Sequence, residues 1–447
     1  MNMTTTKLQD ALRSLPTDAK EPIVDLNFVV PCVFEALGFA QGEFYPQYVT
    51  GDGSVDYALR KNIDENDNFI CTGTQPYLLM ELKGRDINIA PDSTGYNSVV
   101  KQLKRYLLAS NCHSAQWGII TNSIHIQLFR KHGKVVFPVT ACLEINPDNV
   151  DEVIDSFREK IANPSKALTV AVYNNKGGVG KTTTTVNLAS VLHRAGHKKV
   201  LVIDLDPNQQ DLTNSLDLSL LDGKFYTFLS EKDANLQSCI AKYSINYKNR
   251  DVDFFDVIPA DKEFAEGDET KFRQYLRIDS LRQKLECIKS DYDYILIDSP
   301  PNWRIFSQMA ICAADVILIP TKHNNIFSLE NAALAIKKFV PEIQRLRGDG
   351  GPVPLPVFFN GEKITPFQEL EAQKAIDEIL RKSKSENPNL RQYFYPKETK
   401  VSKNREIFSI PSYANIANAA FARIPAAYRD KTANSYYTEL AKEYFLQ

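Results

Sequence analysis

One stretch limits the fold more than any other. An apolar run, Leu168–Tyr173, leads through Asn174-Asn175-Lys176-Gly177-Gly178-Val179-Gly180-Lys181-Thr182-Thr183 into an apolar helical stretch, Val186–His193. A buried strand, a glycine loop closing on Lys-Thr and a helix together make a phosphate cradle. Glycines let backbone N–H groups turn onto phosphate oxygens, and the helix N-terminus adds partial positive charge. In such a cradle Lys181 reaches the β- and γ-phosphates and Thr182 ligates Mg²⁺. Gly177, Gly178, Val179, Gly180 and Thr183 form the rest of its wall. The usual G-x-x-x-x-G-K-[ST] string is missed by one position, because Asn175 stands where its first glycine belongs.

The chain around this loop alternates strand and helix. Strands are expected at Leu168–Tyr173, Lys199–Asp204, Phe254–Pro259, Tyr294–Asp298, Val316–Pro320 and Val353–Phe359. Runs such as KKVLVID and YDYILID are apolar on both faces, the mark of a parallel sheet covered by helices on both sides. This gives an α/β class with a mostly parallel sheet flanked by helices over 167–447. Two further carboxylate positions follow strands: Asp204 and Asp206 in VLVIDLDP, and Asp298 in YILIDSPP. Asp206 also reads as a strand-end cap before Pro207.

The string KGGVGKTTTTVNLA resembles the deviant Walker A loop of the ParA/MinD family of partition and positioning ATPases. VLVIDLDP, YDYILIDSPPN, ADVILIPTKHNNIFSLENA and the closing PSYANIANAAFARIP…SYYTELAKEYF resemble its later motifs in order. The resemblance implies ATP and Mg²⁺ as cofactors. It implies that Lys176 reaches the partner's nucleotide in a homodimer closed over ATP, that Asp204 acts near Mg²⁺, that Asp206 orients the attacking water, and that Asp298 holds the Mg²⁺ water shell. Asn208-Gln209-Gln210 departs from the family's Gln-Gly-Asn. No NKxD occurs, so ATP is favoured over GTP through the resemblance.

A helix, Asp148–Ile161, ends at Asn163-Pro164 before the first strand of this region, which places a linker at 162–166 after a separate domain, 1–161. That domain reads as α+β. Helices are expected at Thr6–Leu15, Asp25–Leu37 and Ser98–Ala109. Strands are expected at Val55–Arg60, Phe69–Cys71, Tyr77–Lys83, Trp117–Thr121 and Ile124–Arg130. Asp56 lies in an apolar strand, and alternation puts Glu81 and Lys83 on one face of another. Two acids and a lysine suit metal-assisted phosphodiester cleavage: Asp56 and Glu81 hold Mg²⁺, and Lys83 orients water or offsets charge. A solvated sheet face gives the same string. Gln102 and Tyr106 follow on one helix face.

The order Asp, Glu-x-Lys, Gln-x-x-x-Tyr resembles the PD-(D/E)XK nuclease fold, most of all the N-terminal domain of type I restriction enzyme motor subunits. That resemblance makes Gln102 part of the catalytic set with Asp56, Glu81 and Lys83, and Glu35 the additional acid. Val55 in place of proline and the long insert Lys61–Gln75 depart from it.

Charge separates few alternatives: 53 Lys and Arg against 55 Asp and Glu give −2. A polybasic binder is excluded, but a local basic patch is not. Residues 381–405 carry eight cations (381, 382, 384, 391, 397, 400, 403, 405) with Tyr393, Phe394 and Tyr395 interleaved. They read as a DNA contact or as a solvated helix end. Lys101, Lys104 and Arg105 read the same two ways. No apolar run reaches the ~20 residues of a membrane span. The closing helix Tyr436–Phe445 has a mixed polar face, which favours core packing over a basic membrane tail. Seven scattered cysteines without a CxxC point to free thiols in a reducing cytoplasm.

The expected function is an ATP-closed dimer on DNA that controls a Mg²⁺-dependent endonuclease, cytoplasmic and nucleoid-associated. By architecture this suits prokaryotic defence against phage or plasmid DNA, with a protein regulator as trigger. The alternative is a partition or positioning ATPase whose N-terminal domain only binds DNA or a partner.

Overall fold

The computed structural model describes residues 6–194, 196–247, 250–361, 364–383, 389–398 and 402–447. They group into two compact units: residues up to Pro164 with Gly348–Gly351 and Gln447, and Ser165–Arg347 with Pro352–Leu446.

The first unit begins with α1 (Lys7–Ser14) and a helical run, α2, made of Glu21–Val24, a π-helical stretch Asp25–Val33 and Phe34–Ala36. Pro31 lies inside the π stretch, where its missing N–H disturbs the ordinary ladder. Strands β1 (Phe44–Thr50), β2 (Gly53–Leu59) and β3 (Leu78–Leu82) form an antiparallel meander. Between β2 and β3 lies α3 (Phe69–Thr72), a single helical turn. The long helix α4 (Thr94–Leu107) then carries the chain to β4 (Trp117–Thr121), which pairs parallel with β3. Strands β5 (His125–His132), β6 (Val135–Pro138) and β7 (Leu143–Glu144) complete the sheet before α5 (Val150–Ala162).

Alternation sorts this sheet's side chains. Tyr57, Leu59, Leu78, Met80 and Leu82 face a core built with α1, α2 and α5. Ala58, Leu79 and Ile120 face α4 through Val99, Leu103 and Leu107. Asp56 and Glu81 therefore leave the sheet on the α4 face, among apolar neighbours.

The expected strand Phe69–Cys71 is a helix. Phe69 is buried under the Arg60 guanidinium, 5.0 Å from the ring centre, and Gly73 closes the turn at φ +57°. A three-residue apolar run is too short for its period to distinguish helix from strand.

In the second unit the strand order is β10-β11-β9-β12-β8-β13-β15. These are β8 (Leu168–Val172), β9 (Val200–Asp204), β10 (Ala241–Tyr247), β11 (Arg250–Ile258), β12 (Tyr294–Asp298), β13 (Val316–Leu318) and β15 (Val353–Pro354). All pair parallel except β10, which folds back on β11 as an antiparallel edge. Two expected strands are broken. Val316–Pro320 divides into β13 and β14 (Pro320–Thr321), and Val353–Phe359 into β15 and β16 (Phe358–Asn360). β14, β16 and β17 (Ser409–Ile410) make a separate small sheet. Pro352, Pro354 and Pro356 remove ladder donors, so no continuous strand can run through them.

Helix α6 (Lys181–Arg194) follows the glycine loop and is buried along most of its length. The C-terminal helix α7 (Lys431–Tyr444) packs on it through Ala433, Tyr437, Leu440 and Ala441, as a core-packing helix should. Among the described residues no helix is long and apolar enough to cross a membrane.

Candidate functional site

The loop between β8 and α6 lies at the C-terminal edge of the parallel sheet, where ligands of open α/β sheets gather. Gly178 and Gly180 have φ of +74° and +88°. A Cβ on Gly177 or Gly178 meets nothing within 4 Å, so the loop's outer side is open. Its inner side is fastened. Asn360 Nδ2 donates to Val179 O (3.1 Å), Gly180 O (3.3 Å) and Thr184 Oγ1 (3.3 Å). Asn174 Nδ2 donates to Pro320 O and Ser328 O, and Asn175 Nδ2 to Asn331 Oδ1.

Sheet register gathers the charges. Asp298 lies opposite Val172 of β8 and Asp204 of β9, so both carboxylates emerge level with the loop. Asp298 Oδ2 accepts from Thr182 Oγ1 at 2.6 Å. Asp204 Oδ2 accepts from Thr213 N (2.9 Å) and Thr213 Oγ1 (2.7 Å), and its Oδ1 accepts from Asp206 N. Burial raises the Asp298 carboxyl well above the ordinary range. Asp204 and Asp206 add to that, against Thr182 and Lys181. Burial likewise pushes Asp204 up to about 6. The Lys181 amine is lowered by burial, against the pull of Asp298 and Asp206. Asp298 and Asp206 thus act on a buried lysine, with Asp204 acting in turn on Asp298. Asp298 Oδ1 is buried without a partner. An orphaned carboxylate oxygen beside the Thr182 hydroxyl fits a divalent cation, which would be held by Thr182 and Asp298 with Asp204 behind.

Asp206 is held in a turn: its Oδ1 accepts from Asn208 N (3.1 Å) and Gln209 N (3.2 Å). It performs the capping role and also stands within electrostatic reach of Lys181. Lys176 is half-buried, and its carbonyl accepts from Lys181 Nζ at 3.3 Å. Sequence reading missed Asn360 and Thr213. Neither lies in a motif, and each acts from a distant stretch of chain.

A strand, a glycine loop fastened from behind, a buried lysine and a threonine–aspartate pair define the second unit as a P-loop nucleotide-binding domain. A family model described as an AAA domain matches residues 167–348. The chain is 33% identical over 196 residues to the chromosome partitioning protein ParA of Caulobacter vibrioides, covering 43% of this chain and 67% of that protein. It is 37% identical over 155 residues to the sporulation initiation inhibitor protein Soj of Bacillus subtilis, covering 34% of this chain and 57% of Soj. The match thus spans little more than half of Soj's length. Solved structures similar to the chain include pNOB8 ParA bound to nonspecific DNA (22% identical, TM-score 0.44, covering 62% of this chain and 98% of that one). Another is an ATP complex of McdA from Cyanothece (21% identical, TM-score 0.46, covering 63% and 100%). The chain belongs to the ParA family.

The first unit brings Asp56, Glu81 and Lys83 together. The β2–β3 ladder ends at Tyr57 opposite Met80, and the Asp56 carboxylate takes over there, accepting from Leu82 N at 2.7 Å. Lys83 Nζ donates to Glu81 Oε1 at 2.7 Å and stands 4.0 Å from Asp56 Oδ2. Glu81 is 1% exposed, and its Oε2 is buried without a partner. Burial and the Asp56 charge push its carboxyl up to about 7, against the pull of Lys83. The orphaned oxygen fits a cation held by Asp56 and Glu81. Among the described residues no three His, Cys, Asp or Glu side chains are set to hold a metal, and in this cluster the Lys83 ammonium stands among the acids.

Three expectations change. Glu35 is not the additional acid: it is exposed and pairs with Lys7 at 2.9 Å. The acid that does stand beside the cluster is Glu21, at the start of α2, 3.6 Å from Lys83. It gets there because Gly84 lacks a side chain, since a Cβ on Gly84 would lie 2.7 Å from Glu21 N. Gln102 donates to Tyr106 at 3.0 Å, within its own helix. Of the aromatics of 381–405, Phe394 and Tyr395 are buried core and Tyr393 packs against it partly buried. Of the cations there, Lys384 and Lys400 lie outside the described residues. Lys382, Arg391, Lys397 and Arg405 form ion pairs with Glu378, Glu398, Glu406 and Asp377. In α4, Lys101 is exposed, Lys104 is partly buried and Arg105 lies over the Tyr106 ring. All seven cysteines are free.

Proposed function

We propose that the second unit is an ATP-dependent switch of the partition or positioning kind, using ATP and Mg²⁺, pairing with a second copy over nucleotide and associating with DNA. The convergence of Lys181, Thr182 and Asp298 beneath a fastened glycine loop carries this reading. The relatives named as partitioning proteins support it. Mg²⁺ when bound neutralises phosphate charge and fixes the leaving group. Lys181 is desolvated and so presents a strong positive field to the β- and γ-phosphates. Thr182 and Asp298 hold the cation side of the cradle. Lys176 extends toward a partner's nucleotide, and Asp206 positions water. Lys181→Ala should abolish ATP binding, read by equilibrium dialysis. Lys176→Ala should retain binding but lose ATP-dependent dimerisation. Undiminished ATP binding by Lys181→Ala overturns the reading.

A second reading is favoured by one observation, the meeting of Asp56, Glu81 and Lys83. In it the first unit is a Mg²⁺-dependent DNA endonuclease under control of the switch. Asp56 and Glu81 hold the cation, and Lys83 offsets charge on the phosphodiester. Lys83→Ala and Asp56→Ala should then abolish Mg²⁺-dependent cleavage of supercoiled DNA while ATP binding survives. Cleavage at the unaltered rate removes the nuclease.

A further inference from the structure

The ammonium of Lys83 touches more than its neighbour. It lies 2.7 Å from Glu81 Oε1, 3.6 Å from Glu21 Oε2 and 4.0 Å from Asp56 Oδ2, and it also donates to Leu82 O. An ammonium has three donors and a flexible stem. Its grip on Glu81 and its proximity to Asp56 put a positive charge at the pair that a divalent cation needs. Glu21 offers a second seat on the other side. It is 42% exposed in its side chain, where Glu81 is 2% exposed, and it sits on another element. Its position is built. Gly84 permits contact with the Ala19–Glu21 backbone, Arg85 N donates to Ala19 O, and Arg85 Nη1 donates to Leu15 O and Pro16 O. Lys20 pairs with Asp86 at 2.9 Å beside it. These contacts hold the segment that leads from α1 into α2 against the chain just after β3.

We propose that Lys83 is an exchangeable plug: it occupies the Asp56–Glu81 pair until a divalent cation arrives, and Glu21 is the positioning residue that receives its ammonium when the cation enters. This rests on reading Asp56 and Glu81 as a cation-holding pair. The exchange breaks the Lys83–Glu81 ion pair and tightens the Lys83–Glu21 pair that already stands at 3.6 Å. No covalent bond between heavy atoms forms or breaks and no electron moves; a proton held by Glu81 leaves to solvent as the cation enters. Glu21 acts through Lys83 and is not itself a ligand.

The test is Mn²⁺ titration of the nucleotide-free full chain, followed by electron paramagnetic resonance. The Asp56→Asn/Glu81→Gln double variant serves as baseline, and circular dichroism checks folding. Lys83→Met should bind Mn²⁺ about tenfold more tightly, because a competing charge is gone. Glu21→Gln should bind about fivefold more weakly, and Glu21→Asp should restore most of the loss. In the Lys83→Met background, Glu21→Gln should have no effect, since no ammonium remains to be received. Unchanged or weaker binding by Lys83→Met overturns the plug. A loss on Glu21→Gln that persists without Lys83 makes Glu21 a direct ligand and overturns its positioning role. Absence of Mn²⁺ binding above the baseline overturns the cation pair itself. A blank cleavage assay beside the expected Mn²⁺ shifts overturns the nuclease reading alone.

Discussion

At the scale of single residues, the molecule concentrates charge where water is excluded. Asp204 and Asp298 are 0% and 2% exposed, and burial raises both carboxyls above their ordinary range. Because the folded state keeps protons that the unfolded chain has already released, the contribution of each to stability is full below the ordinary carboxylate range. It is lost as pH rises through about 6 for Asp204, and higher still for Asp298. Asp298→Asn keeps an oxygen for Thr182 and removes the charge. The nucleotide-free variant should therefore match wild type at pH 4 and exceed it at pH 8 by on the order of 1–3 kcal/mol. Thermal unfolding at the two pH values reads this. Lys181, Thr182 and Asp298 were legible in the sequence because a spaced motif marks them. Glu21 was not. It precedes Asp56 by a helix and a strand, and only Gly84's missing side chain, on yet another element, brings it close.

At the scale of elements, long apolar runs were read correctly and short ones were not. β8, β9 and β12 are five-residue strands buried on both faces, so their composition alone declares them. The turn at Phe69–Thr72 and the proline-broken segments near 318 and 355 carry too few residues for a period to register. The edge strand β10 was not expected, although buried Tyr243 and Ile245 alternate with exposed Lys242 and Ser244, the period of a half-buried strand. Packing of α7 on α6 depends on a polar hinge: Asn187 Oδ1 accepts from Ala427 N at 2.8 Å, and Asn434 Nδ2 donates to Ala427 O. Asn187 is 3% exposed, so Asn187→Ala leaves a buried N–H unpaired. It should cost about 1–3 kcal/mol in denaturant unfolding. An unchanged midpoint denies α7 that role.

Across the whole molecule, each unit owns its apolar cores. Those of the first draw on residues 8–161 alone, and those of the second on residues 167–433. A fragment of residues 1–164 should therefore fold by itself with a single cooperative thermal transition, and adding ATP without a divalent cation should leave that transition where it is. Non-cooperative melting of the fragment would show that its sheet needs the rest of the chain. The hydrogen bonds from Asn360, two to the glycine loop and one to Thr184 in the first turn of α6, carry a further consequence. They hold the cradle in shape from a strand some 180 residues downstream, so its conformational freedom is surrendered at folding and not at the encounter with nucleotide. Capture is then limited by diffusion and desolvation, with no slow ordering step to lengthen it. Loosening this one amide should appear first as a slower on-rate.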